Sequence, residues 1–366
     1  MLMRIIKASL VVLFAAGFVR GQEISNQELG RKALGVTLSY VKDRDSDVRS
    51  LAADVLGQTG NSSAAGVLKK MLADPDKYTR INAAQALWEL GNASGMKTIY
   101  AIIGDVPAQA PVNNSPLAEL KIISQNKIRE HAIEAMARMK GKKAAEMLFE
   151  LKNDVFGSIR DSAARELARM GYSEELEQFL DAAASEDEAM RFEGANSLSK
   201  ICSSAAAESL RGLLAPANSM RVRIAALDAL KCSQGGKAAV PELLKLAEDP
   251  NPTIRFKAVS SLSSIRDGKA FEKLKEISRT TNDISLKIAA LKGLADGGEK
   301  ADVELLTRAF DSTSQDVKLE ALEALQLVAD EDARKCLLLA LDDSSVTVRL
   351  GAALQVLKRF AKPKAR

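Results

Sequence analysis

The chain repeats itself. A basic residue recurs at Arg49, Arg80, Arg129, Arg160, Arg191, Arg223, Arg255, Lys287, Lys318 and Arg349, and the gaps between them are 31 or 32 residues, with one of 49. Three residues after every base stands a small residue, glycine at Gly194 and alanine in the other nine units. Seven after it stands an apolar one, from Leu56 through Met136 to Val356. The residue before the base is apolar in nine units, and Thr79 is the exception. Steps of four line one face of an α-helix. Alanine at the middle step lets a second helix come close. A period near 31 residues marks a tandem-repeat architecture.

A weaker helical block precedes each pattern, as in Val240-Pro241-Glu242-Leu243-Leu244. Leu68, Leu117, Leu148, Phe179, Leu243, Leu306 and Leu337 share its apolar column, while Arg211 and Lys275 mark units where the phase slips. Turn residues such as Asp74-Pro75-Asp76 and Asp249-Pro250-Asn251-Pro252 separate the blocks, stopping one helix and capping the next. Each unit therefore reads as helix, turn, helix. One such pair cannot cover its own apolar face, so stacking must bury it, and the expectation is an all-α, elongated α-solenoid of about ten units.

The segments Asp45-Ser46-Asp47-Val48-Arg49 with Ala52-Ala53, and Ser345-Val346-Thr347-Val348-Arg349 with Ala352-Ala353, resemble the HEAT-repeat family, most closely the short bacterial type also found in phycobilin-lyase-like proteins. The resemblance runs over about residues 28–358. It implies a right-handed superhelix whose second helices line a concave face where partners are held. It also implies that the recurring base is structural, pairing with an acid that ends the preceding helix, within or between repeats. Asp43, Asp74, Asp154, Asp249 and Asp343 stand six residues before a base, but Ile123, Ser185, Ala217, Thr281 and Ser312 stand there in the other units.

A second column lies five residues after each base: Asp54, Gln85, Glu134, Arg165, Asn196, Asp228, Ser260, Lys292, Glu323 and Leu354. Nine of these ten are polar, and helical geometry turns them away from the apolar seam. The nine are the candidate binding strip for a protein or peptide. The same column also reads as an ordinary solvated face, and its mixed sign argues against a highly charged ligand.

Residues 1–21 read as an export signal, with Arg4 and Lys7 followed by an uncharged stretch from Ala8 to Val19. The stretch is shorter than the roughly 20 residues of a membrane span, so no stable membrane anchor is expected. Repeats fill 22–358, and 359–366 form a basic tail. The expected destination is periplasmic or extracellular. Formal net charge is +4, but the bases concentrate in the leader and the tail. The body therefore lacks the basic stripe that nucleic-acid binding needs.

Nothing in the chain spells out catalysis. His131 is the only histidine, which excludes two-histidine zinc patterns, and it is expected at an exposed helix edge. No catalytic residue, metal ligand or cofactor is assigned. Cys202, Cys232 and Cys336 read as free buried thiols, with a Cys202–Cys232 disulfide open but not favoured, because neighbouring helices stand about 8–10 Å apart and bridged Cα atoms within about 7 Å. The long gap places an insertion near 104–121, whose three prolines read as a loop able to close over one end of the groove. The expected function is an exported non-catalytic scaffold. The alternatives are a phycobilin-lyase-like enzyme or subunit and a structural envelope spacer.

Overall fold

A computed structural model describes residues 24–108, 116–232, 234–299 and 302–361. Within them the chain forms twenty α-helices and no strand. The first four pairs are α1 (Asn26–Tyr40) with α2 (Ser46–Gln58), α3 (Ala65–Met71) with α4 (Lys77–Glu89), α5 (Met96–Ile103) with α6 (Pro116–Lys140), and α7 (Ala145–Leu151) with α8 (Gly157–Arg169). Next come α9 (Ser173–Ala184) with α10 (Glu188–Ile201), α11 (Ala207–Leu213) with α12 (Met220–Cys232), and α13 (Val240–Leu246) with α14 (Pro252–Leu262). The last three are α15 (Gly268–Thr280) with α16 (Ile284–Asp296), α17 (Val303–Ala309) with α18 (Gln315–Leu325), and α19 (Asp330–Ala340) with α20 (Val346–Arg359). Every second helix carries one of the ten recurring bases.

The turn residues start the second helices. Asp76 Oδ1 accepts from Thr79 N at 2.7 Å, and Asn251 caps α14 with Pro252 in its first turn. These side chains satisfy backbone donors that a helix start leaves without intrahelical partners. The apolar face then goes inside. The alanine column and the column after it are buried throughout, with Ala52, Ala163, Ala258 and Ala352 at 0% exposure and Leu294, the least buried of the large residues, at 4%. Gly194 replaces alanine where α10 meets α9 most closely, because a Cβ there would collide with the backbone of Ala183.

The base column is a ladder between units. Arg49 meets Asp74 at 2.8 Å, and Arg129 meets Asp154, Arg223 meets Asp249 and Lys318 meets Asp343, each at 2.6 Å. The partner is thus the acid after the first helix of the following unit, the between-repeat form of the expected pairing. Each of these acids also holds its own turn, as Asp74 does by accepting from Asp76 N at 2.9 Å. Where the following unit has no acid, the base is left short. The Nε atoms of Arg80 and Arg191 are buried with no hydrogen-bond partner, and Ile123 and Ala217 stand where the acid would be.

The stack closes on itself. α20 packs against α2 as each second helix packs against the next, and α1 lies across α20. Leu29, Ala33, Ala52 and Val55 share one core with Leu337, Ala352 and Val356. Lys32 pairs with Asp342 at 2.5 Å, Arg334 donates to Asn26 at 2.7 Å, and Lys358 donates to Gln58 at 3.0 Å. The elongated stack expected from the periodicity is therefore a ring. A rotation of about 36° per unit completes a turn in ten units, and such small repeated rotations set a solenoid's curvature.

Two further expectations are corrected. The insertion is only partly a loop, because α6 begins at Pro116 and adds helical turns before the repeat pattern resumes. Leu117 is consequently 79% exposed, and Ile99 on α5 takes the buried place assigned to it. Residues 109–115, on which the lid reading rests, lie outside the described residues. Cys202 is disulfide-bonded, and Cys336 is a buried free thiol beside Thr307. Helix spacing does not limit Cys202, which has left the helix body as the left-handed cap of α10 (φ 57°). The side chain of Cys232 lies outside the described residues.

Candidate functional site

The ten second helices form the inner wall of the ring. Glu134 on α6 lies 3.3 Å from Lys200 on α10, with α8 between the two helices. Side chains two helices apart can meet only across a concave surface. The structure places Asp54, Gln85, Glu134, Arg165, Asn196, Asp228, Ser260, Lys292 and Glu323 on nine consecutive second helices, all half-buried except the exposed Glu323.

Most of the strip is engaged with the neighbouring helix. Asp54 accepts from Asn82 Nδ2 at 3.3 Å, and Lys257 donates to Asp228 at 2.6 Å. Arg165 stands 3.9 Å from Glu130, and Lys292 pairs with Glu323. Charges of both signs are paired around the wall, as the mixed composition of the column predicts. The structure does not gather the nine residues into one pocket. It spreads them along a track.

The column reading missed the residues beside the track. Asn82, His131, Lys257 and Glu320 stand two after their bases, and Glu89, Arg138, Arg169, Lys200 and Lys358 stand nine after. Offsets of two, five and nine fall on one helical face, so the signal was present in the spacing. His131 is half-buried on this wall, where an exposed edge was expected. Its Nε2 lies 3.3 Å from Asn82 Oδ1, and its ring centroid is 5.3 Å from that of Tyr78. Burial drives its pKa down against the pull of Glu134, and Arg138 and Lys200 add to the fall. The imidazole is neutral at pH 7.

Two carboxyls on this face are held well above the ordinary range. Burial pushes Asp54 up to about 7, and the charge of Glu89 adds to it. Burial likewise pushes Glu320 up to about 7, with Asp316, Glu323 and Asp283 repelling its charge and Ser285 hydrogen-bonded to it. Glu166 is raised by burial although Arg169 binds it at 2.5 Å. A half-buried wall of this kind strengthens polar contacts to an incoming molecule, since the local dielectric is below that of water. Among the described residues no three His, Cys, Asp or Glu side chains are grouped to hold a metal ion. None of the described helices is long and apolar enough to cross a membrane.

A family model for HEAT repeats matches residues 21–107, 148–231, 217–295 and 272–358. Comparison with curated proteins finds no match. Among solved structures the chain is similar to the complex of CpcE and CpcF of phycocyanin lyase from Nostoc sp. PCC7120. The identity is 22%, over 64% of this chain and 97% of that one, with a TM-score of 0.37. Human deoxyhypusine hydroxylase, solved with glycerol, is 15% identical over 82% of this chain and 96% of its own, with a TM-score of 0.31. The YibA protein of E. coli is 18% identical over 72% of this chain and 92% of its own, with a TM-score of 0.34.

Proposed function

This chain belongs to the HEAT-repeat family, and from that premise we propose that it is an exported, non-catalytic scaffold that holds a protein segment or peptide against the inner wall of its ring. The observation that carries the reading is the track from Asp54 to Glu323, of mixed sign and half-buried as far as Lys292. Ten helices side by side at about 9 Å make a wall whose opposite axes stand roughly 30 Å apart. Subtracting one helix diameter of about 10 Å leaves a lumen of about 20 Å, which suits an extended strand or a single helix better than a folded domain. Export is supported by the charged and apolar pattern of residues 1–21. The disulfide at Cys202 agrees with it, since such bonds persist in oxidising compartments.

The test compares two photo-crosslinking positions in the native compartment. One is Ser260 on the inner wall. The other is Leu339 on α19, which is 56% exposed and faces away from the lumen. The reading expects one polypeptide captured from Ser260 and none from Leu339. Equal capture at both sites would overturn the inner-wall assignment. A purified sample carrying a bound chromophore that absorbs visible light would overturn the non-catalytic reading in favour of a bilin-handling enzyme.

A further inference from the structure

The ring has a seam, and the seam contains a cavity. Along the stack the first helices of neighbouring units pack on one another at α9 with α11, α13 with α15 and α17 with α19. α1 packs on α20 across the closure, and a gap opens on its side facing α3. The gap has a volume of about 750 Å³, within the 300–1,000 Å³ typical of small-molecule sites. Leu34, Leu38, Leu56, Val67, Leu357 and Phe360 supply apolar walls from three parts of the chain. Leu38 is 40% exposed although it belongs to this wall, so apolar surface there is still open to water.

One charge faces the cavity. Among the described residues Arg31 is the only ionisable one in its lining. Its guanidinium makes no hydrogen bond and no ion pair within 4 Å among the described residues, and Glu28, one turn away on α1, is the acid that feels its charge. The remaining polar lining groups are uncharged, and two of them are already used locally. Thr59 Oγ1 donates to Leu56 O, and Asn61 Oδ1 accepts from Ser63 N. An apolar chamber with the Arg31 guanidinium at its edge complements a molecule with an apolar body and one anionic end.

We propose that this seam cavity is a binding site for an amphipathic monoanion, a flexible hydrocarbon chain ending in a carboxylate or a similar group. The hydrocarbon fills the space between α1, α3 and the end of α20, and the anion pairs with Arg31. The walls come from the first two units and the last one, so the site exists only in the closed ring. By linkage, a ligand that needs both walls holds them together. The site is separate from the inner-wall track and does not depend on a peptide being held there.

The probe is dodecanoate below its micellar concentration, titrated into the full chain, with dodecanol as the uncharged control. The expected result is saturable binding of one dodecanoate per chain, with slower amide exchange over residues 26–40. Arg31→Gln, at an exposed position that breaks no hydrogen bond among the described residues, is expected to weaken dodecanoate about tenfold and leave dodecanol unchanged. Leu38→Trp, also at an exposed position, should fill the chamber and abolish binding of both. No saturable binding by the full chain overturns the proposal. So does an Arg31→Gln variant that binds dodecanoate as tightly as the native chain. Binding that appears only after residues 362–366 are deleted also overturns it, since the chain's own tail would then be the occupant.

Discussion

Arg349 Nε donates to the hydroxyl of Tyr40 at 2.8 Å, joining residues 309 positions apart in the sequence. Its Nη2 donates to the same oxygen, and the guanidinium lies 5.4 Å from the centre of the Tyr40 ring. Elsewhere the base of one unit takes the acid of the next, as Lys318 takes Asp343. At the seam the next unit is the first one, and its acid is Asp43. The ladder ends instead on a phenol three residues earlier, because α1 has tilted to cover α20.

Tyr40→Phe removes that acceptor and leaves the ring packing in place. Hydrogen bonds to charged groups contribute about 1.5–3 kcal/mol, and partial exposure lowers this, so a loss of about 1–2 kcal/mol is expected. Urea unfolding measures it. Faster amide exchange confined to α1 and α20 identifies the seam as the place where it acts.

Gly194→Ala sets two effects against each other. Alanine is favoured over glycine inside a helix by about 1 kcal/mol. The new Cβ would strike the backbone of Ala183, and overpacking costs typically about 1–3 kcal/mol. The clash is with main chain, so it wins, and the variant is expected to melt below the native protein. A higher melting temperature would mean that α9 and α10 can separate freely.

The gaps in the ladder are open to repair. Ala217→Asp puts an acid opposite Arg191, whose Nε is buried without a partner. The turn is exposed, so the gain is expected to be small, up to about 1 kcal/mol. Asp249→Ala makes the opposite change and strands Arg223, now held at 2.6 Å. A urea midpoint that rises for the first and falls for the second, at unchanged slope, checks the pair.

Acid and neutral pH probe different carboxyls. Hydrogen bonds and charges from Arg49, Arg129, Arg223 and Lys318 hold Asp74, Asp154, Asp249 and Asp343 below the ordinary range despite some burial. Their contribution is complete above about pH 4 and is lost as pH falls through the lowered values. Asp54 and Glu320 have the opposite sign. Their folded values are about 7, so the folded state binds more protons between about pH 4 and pH 7, and stability falls as pH rises through that window. Asp54→Asn combined with Glu320→Gln should raise the melting temperature at pH 8 and flatten its slope between pH 4 and 7. An unchanged slope would show that these two side chains meet water freely.

Cys202 is expected to resist maleimide in unfolded, unreduced protein and to react after reduction, while Cys336 reacts in both. Peptide mass spectrometry distinguishes the two. A Cys202 that labels without reductant would remove the disulfide, and with it one support for export.

The unit was legible because its determinants lie within about eight residues of each base. Spacing alone identified the buried alanines from Ala52 to Ala352 and the large residues four further on, and the HEAT resemblance pointed to the acids of the ladder. Pro116 was read as part of a loop, although proline is equally at home in the first turn of a helix, and that choice cost the placement of Leu117. Cys202 was misjudged by treating a cap as part of a helix body. Closure had no local sign at all. It depends on a small angle summed over ten units, and no window of sequence holds that sum. On the inner wall the nine strip residues were found, but His131 and the flanking columns were passed over, because one offset was followed where a helical face carries three.

A chain of stacked hairpins can ordinarily gain or lose a member with little harm, since its tips are free. Here the packing of Leu29 and Ala33 beneath α20 removes the tips. An eleventh hairpin would overshoot the joint and a ninth would fall short of it, so duplication and deletion, the usual means by which such proteins drift in length, both break the same contact.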